Sequence, residues 1–377
     1  MTRHYLDHAS TSPLRPIARA ALAQALELPA ADPGRLHEEG LTTRQALELA
    51  RTSVAELVGA RASEVVFTSS ATEAIVSAVW GSLTTIPGTV IATAVEHSAV
   101  RASADRVGKL RTVGVDGHGL VDPQAVADAI DDEQRSGRSV SLVCCQLANH
   151  EVGTIQPVVE VMERAKARGV RTLVDAAQAV GRIPVDMRAL DADFLAVSGH
   201  KLGGPAGSGA LVVRRGIRIA PLLVGGEQER ARRAGLENMP AAVAFGAAAA
   251  ELVETLADEA AEAERLTNRL RAGLAAIEGI TPYGHPEQRL PHLVCVGIAD
   301  IEPQAVILGL DRAGIAAHSG SACASEGLEP SPVLEAMGVD AHRSLRLSVG
   351  WSTTDDDIDA ALDALPRIIA DLRALRP

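Results

Sequence analysis

The chain has 377 residues, of which 47% are hydrophobic and only 2% are aromatic. This length and composition predict a globular protein, with one large α/β unit or two domains and a core of Ala, Val, Leu and Ile. The formal net charge of −12 argues against tight non-specific binding to nucleic acid or to anionic membranes. We expect no signal peptide, no membrane span and a cytoplasmic location, because no apolar run has the required length.

Strands and helices alternate along the first two thirds of the chain. The predicted strands are 65–68, 90–94, 112–115, 140–147, 172–174 and 194–197. The predicted helices are 42–58, 72–80, a helix ending at 107, 122–130 and 158–167, after a first helix that we expect Ser12 to cap with Pro13 at its first position. This alternation predicts βαβ units and a mostly parallel sheet, which binds ligands at the carboxyl ends of its strands.

The pattern changes after residue 235. An alanine- and glutamate-rich helix is predicted over 240–277, where the chain enters a second domain. Strands at 293–298, 315–317 and 345–349 then mix with helices at 303–312, 331–337 and 355–375. Pro366 is expected to kink or split the last helix.

The chain contains four cysteines, which are Cys144, Cys145, Cys295 and Cys323. No CxxC pair or histidine cluster accompanies them, so we predict no metal site and a reducing compartment. The first three lie in predicted buried strands and are expected to be small core residues. Cys323 differs, because it lies in a glycine-flanked loop of small residues that suits an exposed thiol.

Polar groups follow five of the predicted strands. These groups are residues 69–73, 96–98, 149–153, 175–178 and 198–201. Helix capping or a turn explains each one in isolation. In a parallel sheet, however, all five converge on one edge, so a shared site is the better explanation.

Lys201 is central to that site, because it directly follows an apolar strand. A partly desolvated lysine amine becomes a nucleophile that can form a Schiff base. Asp175, 26 positions earlier, suits a protonated pyridine nitrogen. Gln178 suits a ring hydroxyl, and His97 can stack on the ring.

The remaining groups suit a phosphate. They are the amides at Ala71 and Thr72 and the side chains of Thr72, Ser198 and His200. Together with the lysine and the acid, they predict pyridoxal 5′-phosphate as the cofactor.

With these motifs the chain resembles the cysteine desulfurases, the NifS/IscS-like group of the class-V, fold-type-I aminotransferase superfamily. The resemblance extends over residues 5–13, 68–73, 95–97, 149–153, 175–181, 198–209, 225–235, 318–330 and 344–350. It implies a large domain, 13–245, with a mostly parallel sheet. It also implies a smaller α+β domain, 1–12 and 246–377, that carries the cysteine loop 318–330, and a homodimer.

The resemblance also implies the reaction and the roles of its residues. L-cysteine becomes L-alanine, Lys201 holds the cofactor and moves the α-proton, and His97 assists in proton transfer. Arg346 clamps the substrate carboxylate with help from Asn149. Cys323 takes the sulfur as a persulfide for an acceptor protein that serves iron–sulfur clusters, tRNA or DNA.

Three alternatives stay open at this point. A selenocysteine lyase or another carbon–sulfur lyase would share the cofactor site, and an ordinary aminotransferase would not need Cys323. A catalytically weak scaffold for sulfur transfer is the third. Its support is Leu236, which stands where similar proteins have a threonine that contacts the cofactor phosphate of the other subunit.

Overall fold

A computed structural model describes residues 3–29, 31–320 and 330–375 of the chain. The helices are α1 Pro16–Glu27, α2 Glu38–Leu57, α3 Ala71–Thr85, α4 Ser98–Val107, α5 Pro123–Arg135, α6 Val158–Lys166, α7 Met187–Leu190, α8 Gln228–Ala231, α9 Met239–Ala275, α10 Pro303–Arg312, α11 Pro332–Ala336 and α12 Asp355–Ala374. The strands are β1 His4–Tyr5, β2 Val65–Thr68, β3 Thr89–Thr93, β4 Lys109–Val113, β5 Val140–Gln146, β6 Arg171–Asp175, β7 Phe194–Ser198, β8 Gly209–Val213, β9 Ile280–Tyr283, β10 Leu293–Ile298, β11 Ile315–Ala316 and β12 Ser344–Ser348.

The predicted mostly parallel sheet is confirmed as a seven-stranded sheet in the order β2-β8-β7-β6-β5-β3-β4. Strands β4, β3, β5, β6 and β7 pair in parallel, whereas β8 pairs antiparallel with both β7 and β2. Two successive reversals give β2 the same direction as β7. The carboxyl ends of all the predicted ligand-bearing strands therefore lie at one edge.

A smaller sheet forms from the C-terminal part of the chain. Its antiparallel order is β12-β10-β9, and β1 pairs separately with β11. An apolar cluster of its own surrounds it, with Leu6 from the N-terminal segment and Leu266 from α9 among the members. Since α9 also supplies Phe245 to the cluster of the large sheet, the predicted boundary at 245 falls inside a helix that both clusters share.

Helix α9 is, among the described residues, the one long and apolar enough to cross a membrane by length and composition. Half of its most apolar stretch is buried, and the helix packs against α1 and α2. It is a buried core helix.

Three local predictions need correction. The first helix begins at Pro16 and not at Pro13, because Ser12 is held outside it by His200 and His8. Helix α12 runs unbroken through Pro366, so the proline does not split it. Strand β8 was not predicted, because its five residues follow a glycine-rich turn without a recognisable period.

Candidate active site

A cavity of about 330 Å³ opens at the carboxyl edge of the large sheet. Nine of the predicted site residues line it, and they are Ala71, Thr72, His97, Asp175, Gln178, Ser198, His200, Lys201 and Arg346. The first eight lie at or just after the carboxyl ends of strands in the large sheet. The arginine comes from β12 of the small sheet. The structure thus brings together groups that the sequence places up to 275 positions apart.

Helix α3 presents its N-terminus to this cavity. Ser70 caps the helix by accepting a hydrogen bond from the Glu73 amide at 3.2 Å. The amides of Ala71 and Thr72 are in the first turn, where a helix offers no internal acceptor, and both residues line the cavity. A side chain at Gly209 would come within 2.6 Å of the Ser70 backbone, so the glycine permits this close packing. The helix end provides donors for an anion.

Asp175 ends β6 at the opposite side of the cavity. It is 8% exposed, and its Oδ1 accepts a hydrogen bond from the Ala177 amide at 3.0 Å. Burial raises the pKa of this carboxyl above its ordinary value, while the amide of Ala177 and the charge of Lys201 oppose the shift. Asp175 is therefore a buried acid that gains from a cationic partner.

Lys201 follows β7 and projects its amine into the same cavity. Its Nζ donates to the carbonyl oxygen of Ala9 at 3.1 Å. Burial, together with the nearby charge of Arg346, lowers the pKa of Lys201 to about 8. A substantial fraction of the amine is therefore uncharged and nucleophilic near neutral pH.

His97 is the N-cap of helix α4, and its hydrogen bond there determines which ring nitrogen carries the proton. Its Nδ1 accepts a hydrogen bond from the Ala99 amide at 3.1 Å, so the neutral ring has its proton on Nε2. Burial lowers the pKa of His97 to about 3, with a further contribution from His150, whose ring centroid lies 5.3 Å away. This histidine is a hydrogen-bond donor and a poor base.

Arg346 reaches the cavity from β12 and is only 3% exposed. Its Nη1 donates to the His150 carbonyl at 2.7 Å, and its Nη2 donates to Asp7 at 3.0 Å and to Ser10 at 2.6 Å. Its Nε–H is buried and has no acceptor among the described residues. One edge of the guanidinium is thus fixed by three hydrogen bonds, and one buried donor has no acceptor in the described part of the chain.

Asn149 does not line the cavity. It is fully buried, and its side-chain oxygen accepts hydrogen bonds from the amides of Glu151 and Val152 at 2.8 and 2.9 Å. Its amide group donates to the Val95 carbonyl at 3.2 Å. These contacts support the turn that carries the His150 carbonyl, and the predicted contact of Asn149 with substrate stays a prediction. Cys323 lies outside the described residues.

Sequence reasoning missed several lining residues, including Ser10, Gln146, His150 and His318. It also missed Glu96, which is fully buried beside the site. Its Oε1 accepts hydrogen bonds from Thr93 Oγ1 at 2.6 Å and from the Gln146 amide at 2.9 Å. The position of Glu96 directly before His97 in the sequence could have indicated that it lies beside the site.

Comparison with known proteins identifies the family to which this chain belongs. A family model described as aminotransferase class-V matches residues 4–361. A cysteine desulfurase from Cereibacter sphaeroides is 40% identical over 389 residues, covering 100% of this chain and 98% of that protein. The cysteine desulfurase IscS of Methanosarcina thermophila is 38% identical, covering 99% of this chain and 93% of that protein.

The chain belongs to the cysteine desulfurase group of the class-V aminotransferases. Its fold agrees with this. The X-ray structure of a NifS-like protein from Rickettsia africae matches with a TM-score of 0.90 at 27% identity, over 98% of this chain and 100% of that one. The protein is a cysteine desulfurase, and its family implies pyridoxal phosphate as cofactor.

The cavity of the desulfurase fits that cofactor. The free amides at the start of α3 match a phosphate, and the buried carboxylate of Asp175 matches a protonated ring nitrogen. The Lys201 amine, with its lowered pKa, matches an aldehyde carbon. Three chemically distinct parts of the cofactor thus each meet a suitable group at one edge of the sheet.

Proposed function

We propose that this desulfurase converts L-cysteine to L-alanine with the residues of the cavity in the roles predicted above. Ala71, Thr72, Ser198 and His200 hold the phosphate, while Gln178 contacts the ring hydroxyl. The bound cofactor supplies an electron sink for the substrate α-carbon. The observation that carries the proposal is that Lys201 and Arg346, from different sheets, line one cavity.

Lys201 Nζ would hold the cofactor aldehyde, and the same amine would hold and return the α-proton of the substrate. An amine whose pKa lies near 8 can act both as base and as acid close to neutral pH. Asp175 would hold the ring nitrogen and would stabilise a positive charge there by direct pairing. We propose that Glu96, buried behind it, stays neutral so that Asp175 is the charged acid.

His97 acts as a donor in this scheme. Its Nδ1 lone pair is engaged by the Ala99 amide, so Nε2–H is the group that can reach a ring face or a substrate sulfur. We propose that His97 orients the cofactor ring and donates a hydrogen bond, and that it does not remove the thiol proton as a base.

Arg346 binds the substrate carboxylate through its unpaired Nε–H and one edge of its guanidinium. Asn149 contributes as a positioning residue. It holds the 149–152 turn, and the His150 carbonyl in that turn accepts the 2.7 Å hydrogen bond from Arg346. In this way Asn149 assists the clamp without touching the substrate.

Cys323 is the sulfur acceptor in this proposal. Gly320 lines the cavity three positions before it, and three residues span at most about 11 Å. The Cys323 thiolate attacks the substrate sulfur, so a sulfur–sulfur bond forms and the carbon–sulfur bond breaks. The electron pair of the broken bond stays with the carbon fragment, which takes up a proton and leaves as alanine. An acceptor protein of the iron–sulfur, tRNA or DNA pathways then takes the persulfide.

Mass spectrometry after incubation with L-cysteine tests this proposal. We expect one added sulfur on the peptide that contains Cys323 and none on the peptides of the buried Cys144, Cys145 and Cys295. Cys323→Ser should abolish the added sulfur and strongly slow alanine formation. Unchanged alanine formation in Cys323→Ser, or activity with selenocysteine alone, would favour a selenocysteine lyase.

We further propose a cytoplasmic homodimer with domains 13–245 and 1–12 plus 246–377. Leu236 is 61% exposed in the single chain, where related proteins place a phosphate-binding threonine of the partner subunit. Because leucine donates no hydrogen bond, we expect looser retention of the cofactor. Leu236→Thr should slow cofactor dissociation, and an unchanged dissociation rate would contradict this.

A further inference from the structure

A second cavity, of about 340 Å³, lies behind the active site. One wall is the stretch 255–266 of helix α9, and the opposite wall comes from the small-domain segments 291–292 and 350–353. Arg182 lines it from the side of the large sheet. Two side chains in this cavity have hydrogen-bonding capacity that no described residue satisfies.

His292 is the first of them. It is fully buried, and neither of its ring nitrogens has a hydrogen-bond partner within residues 3–29, 31–320 and 330–375. Burial and the surrounding positive charges hold the pKa of His292 well below its ordinary value, so the ring is neutral with one donor and one acceptor. Leaving both unsatisfied is costly in a protein interior. A polar occupant of the cavity would remove this cost.

Arg182 is the second. It is 6% exposed, and its Nη2 donates to the Lys201 carbonyl at 2.8 Å and to Ser12 Oγ at 3.2 Å. No carboxylate of the described residues forms an ion pair with it. The neighbouring Arg15 is a useful contrast, because Glu251 and Glu259 pair with that guanidinium at 2.7 and 2.6 Å. Arg182 thus has a buried positive charge with no ion-pair partner among the described residues, although the charge of Glu259 acts on it from beyond ion-pair distance.

In the described part of the chain, no acidic residue that lines the cavity forms an ion pair with Arg182. Glu259 pairs with Arg15, and Glu262 pairs with Arg265 at 2.7 Å. Asp258 is exposed and forms no ion pair with the described residues. The described residues also contain no cluster of three or more His, Cys, Asp or Glu side chains suited to a metal ion. The cavity therefore contains the buried guanidinium of Arg182 and the neutral imidazole of His292, neither with a carboxylate partner among the described residues. The carboxylate of Asp258 faces solvent.

We propose that this cavity binds a small carboxylate, which pairs with Arg182 and hydrogen-bonds to His292. The carboxylate supplies the missing counter-ion and the acceptors that the guanidinium lacks. Asp258 would favour an amino-acid form, whose ammonium group it can attract. The site is separate from the clamp at Arg346 and stands independently of the roles proposed for the active-site residues.

Titration calorimetry on the cofactor-loaded protein tests this site. An Arg346→Ala background removes the active-site carboxylate clamp, and the probes are propionate and L-alanine. We expect one molecule bound per chain at up to about 10 mM probe. Tighter binding of L-alanine identifies an amino-acid site, and equal binding identifies a plain carboxylate site.

Substitutions of residues that line the cavity test whether the probe binds there. His292→Leu should weaken it at least about tenfold, because a buried partner is lost. Ala260→Phe should abolish binding by filling the cavity while every polar group is kept, and it covers the case in which His292→Leu does not fold. Ala257→Phe, on an exposed position of the same helix, is the matched control and should leave binding intact. Absence of binding in the Arg346→Ala protein, or binding that survives Ala260→Phe, would overturn the proposal.

Discussion

Arg346 and Asp7 form an ion pair at the floor of the active site, with 3.0 Å between Nη2 and Oδ1. Their side chains are 4% and 17% exposed. The pair joins the N-terminal segment to the small sheet and fixes one edge of the guanidinium. The orientation of Arg346 is therefore set before any ligand binds, and its Nε–H has no acceptor among the residues that the structure describes.

This geometry makes the substrate clamp sensitive to a change from arginine to lysine. Arg346→Lys keeps the charge but loses the planar fork, which forms three hydrogen bonds here. We expect KM for L-cysteine to rise at least about tenfold, since a hydrogen bond to a charged group contributes roughly 1.5–3 kcal/mol. Initial rates of alanine formation measure this. Arg343→Lys, at a half-buried arginine just before β12 that does not line the cavity, is the control and should leave KM unchanged.

A second prediction concerns the pH at which Lys201 becomes reactive. Its pKa of about 8 lies below the ordinary lysine value because of burial first and the charge of Arg346 second. The uncharged amine attacks the cofactor aldehyde, so the rate at which pyridoxal phosphate reloads the cofactor-free protein should rise with pH and level off above about 8. Stopped-flow absorbance provides this rate.

The Arg346 variants separate the two causes of that shift. Arg346→Ala removes a positive charge, so the midpoint of the reloading profile should move to higher pH. Arg346→Lys retains the charge and should keep the midpoint in place. A midpoint near the ordinary lysine value in the wild-type protein would show that burial does not lower this pKa.

The sequence predicted the active-site edge well, because apolar strands followed by polar residues are a local signal. Nine of its predicted side chains line one cavity. It could not reveal the hydrogen bond from Asn149 to the Val95 carbonyl, 54 positions earlier, because that contact depends on the packing of distant segments. The same holds for the second cavity, where Arg182 and His292 are brought together only by the packing of the small sheet against α9.

A third prediction follows from Glu96 and its place beside Asp175. Burial raises the pKa of Glu96 to about 7 from an ordinary 4.5, and the charge of Asp175 adds to this. Between these two pH values the folded protein holds a proton that the unfolded chain has released. The contribution of this group to stability is thus present below pH 4.5 and is lost as pH rises through 7.

Glu96→Gln removes that pH dependence, because an amide does not ionise. Relative to the wild-type protein, the variant should gain on the order of 2–3 kcal/mol in unfolding free energy between pH 4.5 and 8. Urea unfolding at both pH values measures the difference. Glu278→Gln, at an exposed glutamate, is the control, and an equal shift in both variants would rule out a special role for Glu96.

The last prediction concerns the buried ion pair that supports the cofactor side of the large sheet. Arg51 and Glu229 lie 2.6 Å apart, with side chains 2% and 0% exposed, and Glu229 also accepts the Phe67 amide at 2.8 Å. Glu229→Ala leaves the buried guanidinium with Glu48 at 3.0 Å as its remaining ion-pair partner among the described residues, and it leaves a strand amide without its carboxylate acceptor. We expect a loss of about 3–5 kcal/mol in unfolding free energy. Because Phe67 lies in β2, just before the start of α3, we also expect faster cofactor dissociation. Glu227→Ala, an exposed glutamate two positions away, is the matched control, and equal stability of the two variants would show that the pair adds nothing.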